Sequence, residues 1–191
     1  MDHKPTTHHK SNKSDLFQSH DYYAIDELLT EDHILAREAV RAWVKQEVSP
    51  IIEDYANRAE CPTHLFKGLG EIGAFGPSIP AEYGGGGMDE IAYGIIMAEL
   101  ERGDSGIRSM ASVQGSLVMY PIFRFASEEQ KRKYLPKLAT GELIGCFGLT
   151  EPDHGSNPGG METNIVDDGD AFILNGSKMW ITNSPVADIA V

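Results

Sequence analysis

The sequence is poor in residues that several protein classes require. It has only two cysteines, Cys61 and Cys146, and their spacing is not typical of metal ligands. A disulfide framework is therefore not expected, and a reducing compartment such as the cytoplasm is favoured. No run of eighteen apolar residues occurs, so no spanning helix is expected. The amino terminus also has no apolar stretch of the kind found in signal peptides.

Positive charge is scarce as well, with 16 lysines and arginines against 29 aspartates and glutamates. The formal net charge of -13 argues against nucleic acid as a partner, because phosphate binding depends on clustered cations. A local cationic pocket could still bind a small anionic ligand such as CoA. The hydrophobic fraction of 41% and the charged fraction of 24% are typical of globular proteins with a buried core.

The chain divides into three regions of different character. Residues 1–22 are polar and without hydrophobic periodicity, which predicts a disordered tail. His3, His8 and His9 could bind metal adventitiously, but a solvated tail is the favoured interpretation and no metal site is expected. Residues 23–142 have a helical pattern, and residues 143–191 have a β pattern.

Helix signals are strong in the second region. Thr30 is a suitable cap for a helix that ends near Pro50, and Met88 to Arg102 predicts another helix. Gly103 and Gly106 are expected to interrupt the helical structure before a further helix that begins near Ser112. Ser127 and Gln130 form a capping box for the helix after that. The residues expected on the apolar face of the first helix are Ile34, Leu35, Ala39, Val40, Trp43, Val44 and Val48. Those expected on the apolar face of the third helix, which begins near Ser112, are Leu117, Val118, Ile122 and Phe125.

Short apolar runs bounded by turn residues follow Gly141. LIGCFGLT, AFILNG and KMWITN are β-like, and residues 187–191 resemble the start of another strand. The predicted fold class is therefore α+β. An all-α amino-terminal domain is followed by the beginning of a β-barrel-like or sandwich middle domain.

One glycine motif is misleading. Residues 68–73 match GxGxxG, but a dinucleotide fingerprint needs a strand before it and a long helix after it. Here residues 63–66 look helical, and Pro77 and Pro80 follow closely. A Rossmann site is therefore rejected, and Gly84 to Gly87 is interpreted as a turn.

A more informative segment runs from Cys146 to Ser156, where a strand leads into a loop of hydroxyls and glycines. Such a loop suits a pyrophosphate or the polar edge of a ring, although a turn without any ligand fits these residues equally well. Trp180, Ile181 and Thr182 end a later apolar run. An indole and a β-branched residue form a flat apolar wall, and a hydroxyl can bond ring nitrogen and oxygen atoms.

These two segments together resemble the acyl-CoA dehydrogenase family, and the resemblance extends from about Leu28 to Val191. It implies FAD as cofactor and a catalytic glutamate in a carboxy-terminal helical domain beyond Val191, so no catalytic residue is assigned in this chain. It also implies which residues contact the flavin. These are Phe147, Gly148, Leu149, Thr150, Gly155 and Ser156 in the first segment, and Trp180, Ile181 and Thr182 in the second.

The stretch from Glu101 to Ser109 resembles the glutaryl-CoA dehydrogenase type. That resemblance implies that Glu101, Arg108 and Ser109, together with Ser156, surround the distal carboxylate of a glutaryl chain. A guanidinium can make a bidentate pair with such a carboxylate. The alternative is that Arg108 pairs with an internal acid, either Glu101 or Asp104.

The resemblance thus implies oxidation and decarboxylation of glutaryl-CoA to crotonyl-CoA in lysine degradation. It further implies electron transfer to an electron-transferring flavoprotein and a homotetrameric complete enzyme. The chain alone is expected to be inactive. The alternatives are part of a short- or medium-chain acyl-CoA dehydrogenase, or a non-catalytic acyl-CoA-binding or interaction module. The sequence departs from the family pattern at Asn157, where aspartate is usual, and at Asn164, where arginine is common.

Overall fold

The computed structural model describes residues 20–191. The predicted tail histidines His3, His8 and His9 lie outside the described residues. Seven α-helices precede the strands in this part of the chain, and two π-helical segments, Val44–Val48 and Val113–Met119, extend α1 and join α5 to α6. The helices are α1 (Glu31–Trp43), α2 (Ile52–Arg58), α3 (Leu65–Glu71), α4 (Glu90–Gly103), α5 (Ser105–Ser112), α6 (Tyr120–Phe125) and α7 (Glu128–Thr140).

Side-chain caps fix the helix starts that the sequence predicted. The Thr30 hydroxyl accepts the His33 backbone N–H at 3.3 Å and begins α1. At α7, the Ser127 hydroxyl accepts the Gln130 N–H at 3.2 Å, and the Gln130 side chain accepts the Ser127 N–H at 2.9 Å. These bonds satisfy backbone donors that have no partner inside the helix, so both predicted starts are confirmed.

The predicted break between Gly103 and Gly106 is shorter than expected. Gly103 is the last residue of α4 and Gly106 is the second residue of α5, so the prediction of a helix beginning near Ser112 was wrong. The reason is Asp104, whose carboxylate accepts the Ile107 N–H at 3.0 Å and starts a new helix at once. Arg108 therefore lies on a regular helix.

The core lies between α1, α4 and the long helical unit from α5 to α6, with α3 and α7 closing one side. Along α1 the buried stripe consists of His33 and Val40 and continues with Val44 and Val48. The expectations for Ile34 and Ala39 were wrong, since both are exposed, and so was that for Leu35, which is 67% exposed. It stands two residues from His33, about 200° around a helix of 3.6 residues per turn.

Exposure also differs from expectation on the third predicted apolar face. Val118 is fully buried and Ile122 is buried, but Phe125 is 84% exposed and Leu117 is partly exposed. Phe125 is the last residue of α6. It therefore extends past the packed part of the helix.

A buried ion pair connects α1 to α4. The Glu99 carboxylate is 3% exposed and receives two hydrogen bonds from the Arg41 guanidinium, at 2.9 and 3.0 Å. Arg102 lies 3.4 Å from the same carboxylate. A buried carboxylate needs such partners, because its ionised form is costly to remove from water.

The GxGxxG stretch contributes to helix packing. Gly68 and Gly70 lie inside α3, which excludes the strand-turn-helix context of a dinucleotide site. A Cβ atom at Gly70 would lie 2.3 Å from the Thr140 carbonyl oxygen, so glycine allows α3 to approach the end of α7 closely. The Gly84–Gly87 turn lies mostly at the surface and is bonded to the preceding segment, since the Gly86 and Gly87 amides donate to the Gly76 and Ile79 carbonyls at 2.9 Å.

Four short strands follow the helices, as the α+β prediction requires. β1 (Gly145–Cys146) pairs in parallel with β4 (Ile189–Ala190), and β2 (Asn164–Asp167) pairs antiparallel with β3 (Phe172–Asn175). The predicted strands at AFILNG and 187–191 are confirmed by β3 and β4, whereas LIGCFGLT contains only the two residues of β1.

The prediction of a strand at KMWITN was wrong, because none of its residues belongs to a strand and the chain bends at Trp180 and turns at Thr182 and Asn183. Trp180 has φ of +59° and Asn183 has φ of +69°, and left-handed residues interrupt a β ladder. Among residues 20–191, no helix is both long and apolar enough to cross a membrane.

Candidate functional site

The two segments predicted to contact a flavin lie side by side. The Met179 N–H donates to the Thr150 carbonyl at 2.9 Å, and the Lys178 ammonium donates to the Leu149 carbonyl at 3.1 Å. The Gly148 N–H donates to the Val191 carbonyl at 2.8 Å, which fixes the start of the loop against the end of β4. Residues separated by about thirty positions in sequence are thereby brought together at one surface.

This surface combines apolar and hydroxyl groups that solvent can reach. The Trp180 indole is 86% exposed, and Thr182 and Ser156 are also exposed. Gly155 faces open space, since an added Cβ atom would meet nothing within 4 Å. Such a surface could stack a planar ring on the indole and bond the ring edge through hydroxyls. The other predicted contacts are half-buried at Phe147, Gly148, Thr150 and Ile181, with Leu149 at the margin of exposure.

Glu151 is the most strongly bonded side chain of the loop. Its carboxylate is buried and accepts the Glu162 N–H at 2.7 Å, the Thr163 N–H at 3.0 Å and the Lys178 ammonium at 2.8 Å. Lys178 first, and then hydrogen bonds from Thr163 and Glu162, hold the pKa of Glu151 at about 2. The group is therefore ionised at neutral pH and is unsuited to be a proton acceptor for a substrate carbon.

Gln114, in the second π-helical segment, holds the strand that leads into the loop. Its side chain is fully buried and accepts the Gly145 N–H at 2.7 Å through its carbonyl oxygen. Its amide nitrogen donates to the Leu138 and Leu143 carbonyls at 2.9 and 2.8 Å. One side chain thus joins the helical core to β1.

A cavity of about 470 Å³ lies between the start of α5, the end of α2 and the turn after Trp180. Asn183 lines it on the turn side, and its amide donates to the Met110 carbonyl at 3.3 Å and to the Gly145 carbonyl at 3.2 Å. Two of the predicted flavin residues, Ile181 and Thr182, line this cavity together with residues of α5. Its lining includes Ile107, Met110, Ile181, Thr182 and Asn183.

The predicted substrate residues on α4 and α5 contact one another directly. The Arg108 Nε donates to the Glu101 carboxylate at 2.7 Å, and Arg108 Nη1 lies 3.5 Å from the hydroxyls of Ser109 and Ser112. The Ser105 hydroxyl donates to the other Glu101 oxygen at 2.5 Å. Arg108 first, and then Ser105, lower the pKa of Glu101 below its ordinary value.

The internal pairing of Arg108 with Glu101, left open by the sequence, is thus the arrangement present in this structure. Both side chains are partly exposed, at 35% and 46%, so an anionic ligand could reach the guanidinium and compete with Glu101. Besides the predicted Ser109, the described hydrogen bonds of this cluster involve Ser105 and Ser112, which were not predicted, and they do not involve Ser156.

Sequence reasoning missed Lys178, Gln114 and Asn183. Lys178 stands in an apolar run, where a single lysine suggests a paired charge, and this was the available signal. No role was predicted for Glu151. The contacts of Gln114 and Asn183 span 24 to 73 positions, and nothing in the local sequence indicates them.

Comparison with known proteins gives matches to two family models. Residues 30–142 match the acyl-CoA dehydrogenase N-terminal domain, and residues 146–191 match the acyl-CoA dehydrogenase middle domain. A glutaryl-CoA dehydrogenase from Mycobacterium smegmatis, solved in complex with FADH2, is 48% identical with a TM-score of 0.85. The match covers 88% of this chain and 43% of that one.

Two further relatives match over a similar part of the chain. A probable acyl-CoA dehydrogenase of Bacillus subtilis is 40% identical over 83% of this chain and 42% of its own length. The mitochondrial short-chain specific acyl-CoA dehydrogenase of Rattus norvegicus is 37% identical over 85% of this chain and 40% of its own length. The chain therefore spans less than half the length of these relatives.

Proposed function

The chain belongs to the acyl-CoA dehydrogenase family, and we propose that it forms the amino-terminal and middle-domain part of an FAD-dependent enzyme that oxidises glutaryl-CoA. The bond between Met179 and Thr150 is the observation that carries the flavin part of this proposal, because it joins the two segments that resemble a flavin site. The solved relative that holds FADH2 gives independent support.

The residues present fit a flavin. The exposed Trp180 indole and the hydroxyls of Thr182 and Ser156 offer a stacking surface and polar contacts. FAD, when bound, would supply the hydride acceptor for oxidation of an acyl thioester. The chain's own contribution is to hold and orient the ring. We propose as flavin contacts Phe147, Gly148, Leu149, Thr150, Gly155, Ser156, Trp180, Ile181 and Thr182.

For the acyl group we propose that Arg108 binds the distal carboxylate of glutaryl-CoA, with Glu101, Ser109 and Ser156 around it. In this role the ligand carboxylate replaces part of the contact that Glu101 makes with the guanidinium. Oxidation and decarboxylation would give crotonyl-CoA. The short-chain relative supports a competing proposal, in which the substrate is a monocarboxylic acyl-CoA.

We assign no glutamate of this chain as the catalytic base. An electron-transferring flavoprotein as acceptor, a homotetramer and a cytoplasmic location are further proposals for the complete enzyme. We also propose a domain boundary between residues 142 and 143, after a tail that ends near residue 22. The chain by itself is proposed to be inactive.

The test joins this chain to the remaining length of the Mycobacterium smegmatis relative and purifies the chimera beside the 191-residue chain. We expect the chimera to be yellow and to reduce a dye with glutaryl-CoA, and the chain alone to do neither. A colourless chimera that is folded by circular dichroism would refute the flavin proposal.

Substrate choice is tested with Arg108→Ala in the same chimera. Loss of the charged contacts should raise KM for glutaryl-CoA about 10- to 100-fold while butyryl-CoA turnover is kept. Arg124→Ala is the matched control, because Arg124 is exposed on α6. Equal glutaryl-CoA kinetics in the Arg108 and Arg124 variants would contradict the glutaryl proposal and favour the short-chain one.

A further inference from the structure

We propose that Glu151 is a positioning residue that holds the loop at residues 147–156 and the segment at residues 178–182 in register with each other. Its role for the flavin rests on the proposed function, because these are the two segments proposed to contact the ring. Glu151 itself touches neither cofactor nor substrate in this proposal. It acts through the backbone and through Lys178.

Three donors from two parts of the chain converge on the one carboxylate. One oxygen accepts the Glu162 N–H at 2.7 Å, and the other accepts both the Thr163 N–H at 3.0 Å and the Lys178 ammonium at 2.8 Å. Glu151 is only 5% exposed, so water competes little for these bonds. Hydrogen bonds to an ionised group in such a site are stronger than those between neutral partners.

Lys178 links the Glu151 carboxylate to the backbone of the loop. Its ammonium also donates to the Leu149 carbonyl at 3.1 Å, and the next residue, Met179, donates its N–H to the Thr150 carbonyl at 2.9 Å. The lysine therefore bonds the carboxylate and the loop backbone at once. Trp180, whose indole would form the wall of the flavin site, follows two positions later.

The backbone of Glu151 fixes the other half of the loop. Glu151 and His154 exchange two N–H to carbonyl hydrogen bonds, each of 3.2 Å, which closes a four-residue turn. Gly155 and Ser156 come directly after this turn. Glu151 thus lies between the part of the loop that follows β1 and the part that contains Gly155 and Ser156.

The proposed role requires the negative charge of the Glu151 carboxylate as well as its shape, and a substitution that changes only the charge tests this. Glutamine has the same shape as glutamate, but one of its two polar atoms is an NH2 donor. Placed at this site, the NH2 would face a backbone N–H or the lysine ammonium, so at least one donor would lose its acceptor. A residue needed only for packing would tolerate Glu151→Gln.

The first measurement is hydrogen exchange by NMR on the 191-residue chain. In Glu151→Gln we expect at least one of the Glu162 and Thr163 amides to exchange about tenfold faster or more, since the NH2 group cannot accept its hydrogen bond. In Lys178→Met we expect faster exchange at Met179, with the Glu162 and Thr163 amides still protected. Amides of α4 serve as the internal control, because unchanged exchange there shows that the fold is retained.

Glu162→Gln is the matched control variant. It removes a glutamate charge from the same region, where the side chain is 84% exposed, but keeps the backbone N–H that bonds Glu151. Its exchange pattern should equal that of the unsubstituted chain. Unchanged exchange at residues 162 and 163 in Glu151→Gln, with α4 intact, would overturn the proposal.

The second measurement uses the flavin-loaded chimera and its visible circular dichroism, which reports the ring's surroundings. We expect Glu151→Gln to weaken FAD binding about tenfold and to change that spectrum, while Glu162→Gln leaves both as they are. Equal affinity and spectrum in the two variants would refute the positioning role. If the unsubstituted chimera bound no flavin, the proposed function would fail, and the exchange measurement would still decide the role of Glu151 in ordering the loop.

Discussion

Replacing Gln114 by leucine should destabilise this protein more than any surface change, although the two side chains are similar in size. The glutamine is fully buried and bonds three backbone groups, at Leu138, Leu143 and Gly145. Leucine can bond none of them. The loss of stability therefore depends on how many of these three backbone groups are left without a hydrogen-bond partner.

Of the three groups, the Leu138 carbonyl keeps one bond, because it also accepts the Gly141 N–H at 3.3 Å. The Leu143 carbonyl and the Gly145 N–H lose the side-chain contact described for them. A buried polar group without a partner costs about 1–3 kcal/mol, so two of them should lower the free energy of unfolding by about 2–6 kcal/mol. That is a large part of the about 5–15 kcal/mol by which native domains are stable.

Urea unfolding followed by far-ultraviolet circular dichroism would measure this loss. Gln46→Leu is a suitable control, since Gln46 lies in the other π-helical segment but is exposed. It should change stability by less than about 0.5 kcal/mol. If Gln114→Leu lowered the unfolding free energy no more than Gln46→Leu does, these three hydrogen bonds would not stabilise the fold as inferred.

Three other expectations concern stability. Arg41→Met should destabilise the protein by about 3 kcal/mol, because it leaves the Glu99 carboxylate buried with a weaker partner. Adding Glu99→Met should restore part of this loss, as measured by urea unfolding. Equal losses of stability in the single and double variants would contradict this expectation. Ser127→Ala should cost about 1 kcal/mol through the lost cap of α7, and an unchanged urea midpoint would argue against the cap. Glu151 has a folded pKa of about 2 against an ordinary 4.5, so its stabilising effect is present above pH 4.5 and is lost as pH falls towards 2. The unfolding free energy of Glu151→Gln should therefore depend less steeply on pH between 4.5 and 2, and identical pH profiles would contradict the pairing.

Local signals in the sequence were sufficient for the starts of α1 and α7 and for the fold class. Thr30 and Ser127 begin helices through bonds to residues three positions away, and such bonds are visible in the sequence. Asp104 is an equally local cap, but the two glycines beside it favoured a break. The π-helical segments had no recognisable pattern, because they are short stretches of five and seven residues within longer helical runs.

The candidate site was harder to predict, because its contacts are distant in sequence. The motif residues Thr150 and Trp180 could be named from the family resemblance, but the lysine that connects their segments could not. Glu151 meets Lys178 across 27 positions, and only the fold brings them together. The left-handed backbone at Trp180 was also hidden, since an apolar run with a tryptophan is typical of a strand.

The β2–β3 hairpin has a consequence for how the protein behaves in concentrated solution. Its apolar side chains are exposed on both faces, including Phe172 at 70% on one and Ile173 at 45% on the other. Exposed strands of this kind pair readily with other copies and lead to precipitation. Asp167, Asp168 and Asp170 surround the turn, and their mutual repulsion between molecules opposes such pairing. Solubility should therefore fall in acid or in high salt, where these charges are neutralised or screened.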